Sequence, residues 1–134
     1  MENLNSIKYS FAAVGSAAAY FLGGWDLMLK ILVTLTALDF LTGVLAAIYN
    51  KCLSSEIGSK GIVRKVGIYI IVAVAYMLDT LMNTNNVIRG ATIGFYISIE
   101  GLSIVENWSR MELPLPKTVK DALARLKEDN IDEH

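Results

Sequence analysis

The sequence predicts an all-α integral membrane protein with three or four transmembrane helices and a short cytoplasmic amphipathic helix. Hydrophobic residues make up 54% of the 134-residue chain and charged residues only 19%. This composition is more hydrophobic and less charged than that of a typical soluble domain. Apolar runs close to the ~17–25 residues that a spanning helix needs recur along the chain. The charged residues collect instead in the segment 50–65 and after Glu106. These observations indicate several membrane crossings separated by short polar connections.

The first apolar run, residues 9–24, is rich in alanine and glycine and is short for a spanning helix. Gly15, Ala19 and Gly23 recur at four-residue steps, a spacing that lets two helix backbones approach closely. The spacing fits packing within one chain and packing between copies equally well. If this run spans the membrane, the protein has four transmembrane helices with both termini inside. If it lies on the surface, there are three helices and the N-terminus is outside; we favour four.

The run at 27–49 is apolar almost without interruption and predicts a full membrane span. Trp25 precedes it as an interfacial anchor and Tyr49 closes it, because amphipathic aromatic rings settle at the headgroup level. Asp39 lies at the middle of the run, and Gly43 one turn later offers a helix-packing position. This run is therefore a spanning helix that carries an ionisable residue at mid-depth.

Two further runs, 62–82 and 87–107, predict the remaining spans, joined by the polar turn at 83–86. The last run carries small residues along one face, and Trp108 at its end is a second candidate interfacial anchor. Small residues on one face allow close helix packing in a lipid environment. The packing candidates on this run are Gly90, Gly94 and Gly101.

The prolines at Pro114 and Pro116 end the membrane region, which we take as a transmembrane domain of residues 1–110. The remaining residues, 111–134, are predicted to form a cytoplasmic tail. Apolar residues at helical spacing predict an amphipathic helix within it, over about 118–128. The final acidic residues are expected to fray.

The segment 50–65 is predicted to be a polar loop, either without regular structure or with a short surface helix, and its basic residues decide the orientation of the protein. Loops rich in lysine and arginine stay on the cytoplasmic side, whereas the turns at 23–26 and 83–86 hold neither residue. The loop and the C-terminus are therefore expected in the cytoplasm. The basic residues of the segment are Lys51, Lys60, Arg64 and Lys65.

Ionisable side chains within the apolar runs are the candidate functional residues, because each costs ~2.5–3.5 kcal/mol at mid-bilayer on insertion scales. Lys30, Asp79 and Arg89 lie toward the outer ends of their runs, and we expect Asp79 to pair with Arg89 or Lys30. Asp39 and Glu100 lie nearer mid-depth, where the sequence offers no basic partner. These two acids are either protonated and hydrogen-bonded to a neighbouring helix, or they face water in a lumen between copies of the chain.

The sequence holds no pattern typical of an enzyme, a metal site or a cofactor site. Its one histidine is the last residue, its one cysteine, Cys52, has no histidine nearby, and no phosphate-binding glycine loop is present. A single cysteine also excludes an internal disulfide. The net charge of −1 gives no bias toward nucleic acid. The expected partners are membrane lipid and further copies of the chain.

A set of short strings, in order along the chain, carries a family resemblance. The strings are DFLTGV (39–44), AAIYNK (46–51), LSSEIG (53–58), KG (60–61), RK (64–65), LDT (78–80), FYI (95–97), EGLSI (100–104), EN (106–107) and LPLP (113–116). In this order and at these spacings they resemble the toxin-secretion/phage-lysis holin family of phages of Gram-positive bacteria. The resemblance covers nearly the whole chain from about residue 24 onward.

The resemblance implies a small phage protein that accumulates harmlessly in the bacterial cytoplasmic membrane. At a set time such proteins assemble into lesions that let endolysin, the wall-degrading enzyme of the phage, reach its substrate. Relatives in some clostridia are associated with release of large toxins, and the family has no catalytic residues. Two other classes remain open from the residues themselves: a small ion channel or transporter, and a membrane scaffold that binds a partner through its C-terminal tail.

Overall fold

The computed structural model describes residues 1–132, apart from the side chains at 127 and 130–132. This part of the chain forms five helices, which confirms the all-α fold class. Three of them, α2, α3 and α4 as bounded below, are long and apolar enough to cross a membrane. The first helix, α1, is not among these three, so helix length and composition do not support the predicted fourth span. The helices are α1 (Glu2–Leu22), α2 (Leu27–Tyr49), α3 (Ser55–Met82), α4 (Val87–Arg110) and α5 (Lys117–Asp132).

Helix α1 begins at Glu2, well before the apolar run, because the polar N-terminal residues also fold into the helix. Most of its side chains are exposed, and the helix packs against α3. It ends at Gly23, which adopts the left-handed conformation with φ 89° that favours glycine after a helix. A Cβ atom on Gly23 would lie only 2.7 Å from Cδ2 of Tyr76. Gly23 is thus a helix cap that the Tyr76 side chain approaches closely, and its predicted part in a helix-packing stripe stays a prediction.

Helices α2 and α3 both start at a side chain that caps the free N–H groups of the first turn. The Asp26 carboxylate accepts a hydrogen bond from the backbone N–H of Leu29 at 3.0 Å. The Ser54 hydroxyl accepts one from Ile57 at 3.2 Å. Because α3 begins immediately after Ser54, the predicted loop over 50–65 is wrong for most of its length.

The earlier start of α3 changes the place of the basic residues. Lys60, Arg64 and Lys65 lie on the helix, and only Lys51 remains in the connection between α2 and α3. Lys60 forms an ion pair with Glu56 at 2.9 Å, a four-residue spacing that supports a helix. The polarity of this segment predicts a loop, whereas the Ser54 side chain caps a helix that begins within it.

Helix α4 is the centre of the bundle, because it packs against α2, α3 and α5. Short connections make α2 and α3 antiparallel, so that α2 and α4 run in the same direction. Their C-terminal ends meet where the Asn50 side chain donates to the Arg110 carbonyl at 3.3 Å. Burial of apolar side chains between these helices forms the core. Its buried members are Leu22, Leu29, Leu32, Ile68, Val72 and Ile93.

Helix α5 folds back along α4 after the proline-containing connection. The amphipathic segment predicted at 118–128 lies within α5, whereas residues 133–134, where fraying is expected, lie outside the described residues. Leu123 contacts Gly101 so closely that a Cβ on this glycine would lie 2.7 Å from Cδ2 of Leu123. Gly101 is therefore a packing position within the chain.

Candidate functional site

A cluster of three charged side chains lies inside the bundle, with one member from each of the three long helices. Lys65 on α3 donates from Nζ to Oδ2 of Asp39 on α2, and to Oε2 of Glu100 on α4 at 2.6 Å. The three side chains are only 17%, 9% and 5% exposed, respectively. We call these residues the charge cluster. The expectation that both acids lack a basic partner is wrong, because Lys65 lies on a helix that faces them.

The three helices bring the cluster together in register. Asp39 and Glu100 each precede the last residue of their helix by ten positions, and Lys65 follows the first residue of α3 by ten. At ~1.5 Å per residue, all three lie about 15 Å along the helix axes from the same end of the bundle. Equal offsets on two parallel helices and one antiparallel helix place the charges at one level.

Asn107, which sequence reasoning did not single out, holds Asp39 in position. Its Nδ2 donates to Oδ1 of Asp39 at 2.9 Å and to the Asp39 carbonyl at 3.1 Å. It also lies 3.0 Å from Oγ1 of Thr42, and Arg110 donates to its Oδ1 at 2.6 Å. Asn107 follows Glu100 by seven positions, two helical turns, so both project from one face of α4. That spacing is the signal that could have identified it.

The charge cluster contains two carboxylates but only one ammonium. Its burial is stable only because each of the three groups is paired. With both carboxylates ionised, one ammonium faces two negative charges, and removal of the ammonium leaves both of them uncompensated. Among the described residues, every buried side-chain nitrogen and oxygen atom has a hydrogen-bond partner. The arrangement contains no nucleophile next to a base. Its chemistry is that of an ion-pair network closed within a single chain, which keeps one net negative charge when both carboxylates are ionised.

Two cavities adjoin the cluster. One of about 300 Å³ lies toward the loop between α2 and α3, and one of about 430 Å³ lies on the other side of the cluster. Both volumes exceed the space of a single water molecule many times over. The cluster is therefore beside open space, although its own side chains are nearly covered. The residues that line both cavities are Asp39, Arg64, Lys65 and Ser103.

A second polar centre lies at the opposite end of the bundle, around Arg89. This side chain is 3% exposed, and its Nη1 lies 2.5 Å from Oδ2 of Asp26. Its Nε donates to the Leu22 carbonyl at 2.6 Å, and its Nη2 donates to the Gly24 carbonyl at 3.1 Å. The Arg89 guanidinium holds the pKa of the Asp26 carboxyl below its usual value near 3.8. One guanidinium thus ties α4 to the turn between α1 and α2.

The predicted outer-end ion pair of Asp79 is wrong in its partners. The Asp79 carboxylate accepts the backbone N–H groups of Arg89 at 2.7 Å and Ile88 at 3.0 Å, and it also binds the Thr84 hydroxyl. It therefore caps the start of α4, while the Arg89 side chain pairs with Asp26. Lys30 is exposed and joins none of the ion pairs that the described residues form.

The remaining predicted positions divide between turns and open surface. The indole of Trp25 donates to the Gly15 carbonyl at 3.1 Å, and that of Trp108 donates to the Pro114 carbonyl at 2.9 Å. Each of these hydrogen bonds stabilises a turn of the chain. The role of the two tryptophans as interfacial anchors stays a prediction. A Cβ on Gly43 would lie 3.6 Å from Nδ2 of Asn107. A Cβ on Gly15 or on Gly90 would meet nothing within 4 Å.

The two remaining packing candidates have partly covered positions. Ala19 is half-buried, and its carbonyl accepts the N–H groups that close α1. Gly94 is half-buried, and its carbonyl accepts the Ser98 hydroxyl at 3.0 Å. Their part in association between copies stays a prediction.

Several relatives of this chain share most of its length. An uncharacterised protein of Halalkalibacterium halodurans is 41% identical over 128 residues, covering 92% of this chain and 95% of the relative. An uncharacterised 14.9 kDa protein of Clostridium perfringens is 38% identical over 128 residues, covering 94% and 97%. A probable holin of Bacillus phage phi105 is 36% identical over 121 residues, covering 90% and 89%. No solved structure matches this chain.

The match to a protein family extends over most of the sequence. The model of the bacteriophage holin family matches residues 16–128, which include α2, α3 and α4 entirely, the last two turns of α1 and most of α5. That family consists of membrane proteins rather than enzymes, which confirms the prediction of a non-enzymatic membrane protein. This chain belongs to the bacteriophage holin family.

Proposed function

We propose that the protein is a holin that accumulates in the cytoplasmic membrane of a bacterial host and assembles with copies of itself into lesions. The lesions release endolysin, or a large toxin, at a set time. Family membership supports this proposal, and the observation that carries it is the charge cluster. Lys65 pairs with Asp39 and Glu100 inside one chain, so that a protomer hides charges that an aqueous lesion can later use.

The proposed mechanism is a population switch. Burial of the cluster in a single protomer keeps the membrane sealed while copies of the chain accumulate. Association draws protomers together by mass action once their concentration in the membrane is high. In a ring of protomers, water reaches the charged side chains, and the desolvation penalty of the buried ion pairs is released. The charges thus favour the open assembly over the compact protomer.

The surfaces proposed for self-association are those where a Cβ added to a glycine would meet no atom of the chain within 4 Å. Gly90 on α4 and Gly15 on α1 face open space, whereas Gly101 is covered by α5. Small residues on an open helix face let a second helix approach closely in lipid. We assign the Gly90 face of α4 to contacts between protomers.

The proposed orientation places the connection between α2 and α3, and the C-terminus, in the cytoplasm. Lys51, Lys60, Arg64 and Arg110 all lie toward this end of the bundle, as the residue order of α2, α3 and α4 requires. At the other end Lys30 is the basic side chain without an ion pair among the described residues. The asymmetry follows the rule that lysine and arginine remain on the cytoplasmic side.

Expression in bacteria tests the proposal and separates it from its rivals. The chain is induced together with a wall hydrolase that lacks an export signal and a folded cytosolic reporter of enzyme size. A holin releases both proteins across the inner membrane after a delay, and the culture lyses. An ion channel collapses the membrane potential but retains the reporter, and a scaffold leaves both unchanged. Retention of the reporter at high expression would contradict the proposal.

The two acids of the cluster are expected to control the delay. In Asp39→Leu and in Glu100→Leu, one ammonium faces one carboxylate, so the compact protomer hides less net charge and lysis is expected later than in the wild type. Lys30→Leu, which removes an exposed charge outside the cluster, is the matched control and should lyse on time. The measurement is lysis time at equal membrane protein. Normal timing in both acid variants would make the acids structural only.

The Gly90 face is tested by crosslinking of copies in the membrane. Gly90→Leu fills open space in the protomer and should leave its fold intact, but it should reduce the yield of crosslinked oligomers at equal expression. Ala91→Leu is the control, since Ala91 is also exposed on α4 but lies about 100° around the helix from Gly90. Equal crosslinking in the wild type and Gly90→Leu would remove this face from the assembly.

A further inference from the structure

We infer that the 300 Å³ cavity between the ends of α2, α3 and α4 binds the phosphate headgroup of an anionic phospholipid. We call it the basic cavity. It lies at the end of the bundle that carries the connection between α2 and α3, beside the charge cluster. Its volume is at the lower end of the ~300–1,000 Å³ range of ligand pockets, which suits a headgroup rather than a whole lipid.

The charge of the lining favours an anion. Four basic residues line the basic cavity, against Asp39 as the one carboxylate among the described lining residues. The carboxylate is already paired with Lys65 and hydrogen-bonded by Asn107. The cavity therefore presents an excess of positive charge. The four basic residues are Lys60, Arg64, Lys65 and Arg110.

Two of these four side chains have donors to spare. Lys65 is committed to the charge cluster, and Lys60 is paired with Glu56. Arg64 forms no ion pair among the described residues, and Arg110 uses one Nη2 donor on Asn107. A guanidinium group binds two phosphate oxygens in a fork geometry. Two such groups on opposite sides of a cavity can hold one phosphate between them.

The apolar part of the lining distinguishes a lipid from a free phosphate ion. Leu53 and Ile57 line the basic cavity and are 53% and 50% exposed, so that they present apolar surface at its margin. Phe40 and Val44 on α2 continue this wall. An amphiphile with a phosphate at the arginines and acyl chains along the apolar side chains would cover both surfaces. Basic pockets between transmembrane helices on the cytoplasmic side have this character.

The single cysteine provides a direct probe of occupancy. Cys52 is exposed and lines the basic cavity. The full chain is purified in a neutral detergent, and the rate of Cys52 alkylation by a small maleimide is measured with added phosphatidylglycerol or phosphatidylcholine. Phosphatidylglycerol is expected to slow alkylation several-fold, and phosphatidylcholine at the same mole fraction is expected to leave the rate unchanged.

Variants then locate the binding site. Arg64→Gln and Arg110→Gln should each raise the phosphatidylglycerol concentration needed for half-protection about fivefold, as expected for one basic group at a membrane surface. Lys51→Gln is the matched control, because it removes the same charge at the same end but lies outside the cavity lining. Gly58→Leu keeps every charge and adds a side chain where a Cβ meets nothing within 4 Å, so it should weaken protection by filling the cavity.

Three results would overturn the inference. Equal protection by the two lipids would show that no headgroup is selected, and an equal effect of Lys51→Gln would show a diffuse surface charge. Protection of Cys52 from alkylation by millimolar inorganic phosphate, to the same extent as by phosphatidylglycerol, would assign the cavity to a free anion. These outcomes are independent of lesion formation, so failure of the lipid site leaves the proposed holin function to its own test.

Discussion

Lys65→Met is expected to destabilise the folded protein by about 3–5 kcal/mol, the usual result of removing one partner from a buried ion pair. The substitution leaves Asp39 and Glu100 facing each other within the bundle without a cation. Methionine fills a similar volume, so the loss is one of charge pairing rather than of packing. The measurement is the unfolding transition of the purified protein in detergent, together with the amount of protein that reaches the membrane.

A triple variant separates charge pairing from any other effect of Lys65. Lys65→Met combined with Asp39→Asn and Glu100→Gln removes all three charges, and it should recover most of the lost stability. The triple variant is also expected to accumulate without lysing its host on time, because it has no charges to hydrate in a lesion. If Lys65→Met alone unfolds like the wild type, pairing with Lys65 does not stabilise the two acids.

Arg89→Met is expected to be the second strongly destabilising change, by about 3 kcal/mol, because it orphans buried acceptors at the α1–α2 turn. The carbonyls of Leu22 and Gly24 lose their donors, and Asp26 loses its ion pair. The Asp26 carboxylate is half exposed and contributes the smaller share. The measurement is the unfolding transition in detergent, with limited proteolysis of the turn as a local readout.

Lys30→Met provides the comparison for Arg89→Met. Lys30 is exposed and joins none of the ion pairs of the described residues, so its loss should change stability by no more than about 0.5 kcal/mol. Proteolysis of the turn should increase in Arg89→Met and stay at the wild-type level in Lys30→Met. Equal resistance in both variants would show that the guanidinium does not hold the turn.

The fold class and the long helices could be predicted because they depend on local apolar patterns. The partners of Asp39 and Glu100 could not, because pairing depends on where α3 begins. A start at Ser55 places Lys65 two to three turns inside the helix and level with both acids, whereas a loop at 50–65 keeps it outside. The predicted start of this helix, at residue 62 instead of residue 55, is seven residues late, and with this error the prediction describes the members of a closed cluster as two unpaired acids.

The polar centre around Arg89 shows a different limit of sequence reasoning. Charge counting paired Asp79 with a nearby base, but the backbone N–H groups at the start of α4 compete for the same carboxylate. Unsatisfied N–H groups of a first helical turn need an acceptor, and Asp79 supplies it. The Arg89 side chain is then free to reach an acid 63 positions earlier in the chain. A list of charged residues does not show that backbone N–H groups compete with basic side chains for the same carboxylate.

The contact between Leu123 and Gly101 has a consequence for the depth of the protein in the bilayer. Helix α5 is rich in charged residues, and charged side chains do not enter hydrocarbon without a large penalty. While Leu123 rests on Gly101, the last turns of α4 must therefore stand among the lipid headgroups. Glu100 is the immediate neighbour of Gly101 in sequence, so the ion pairs would lie at the inner boundary of the headgroup layer, close to water.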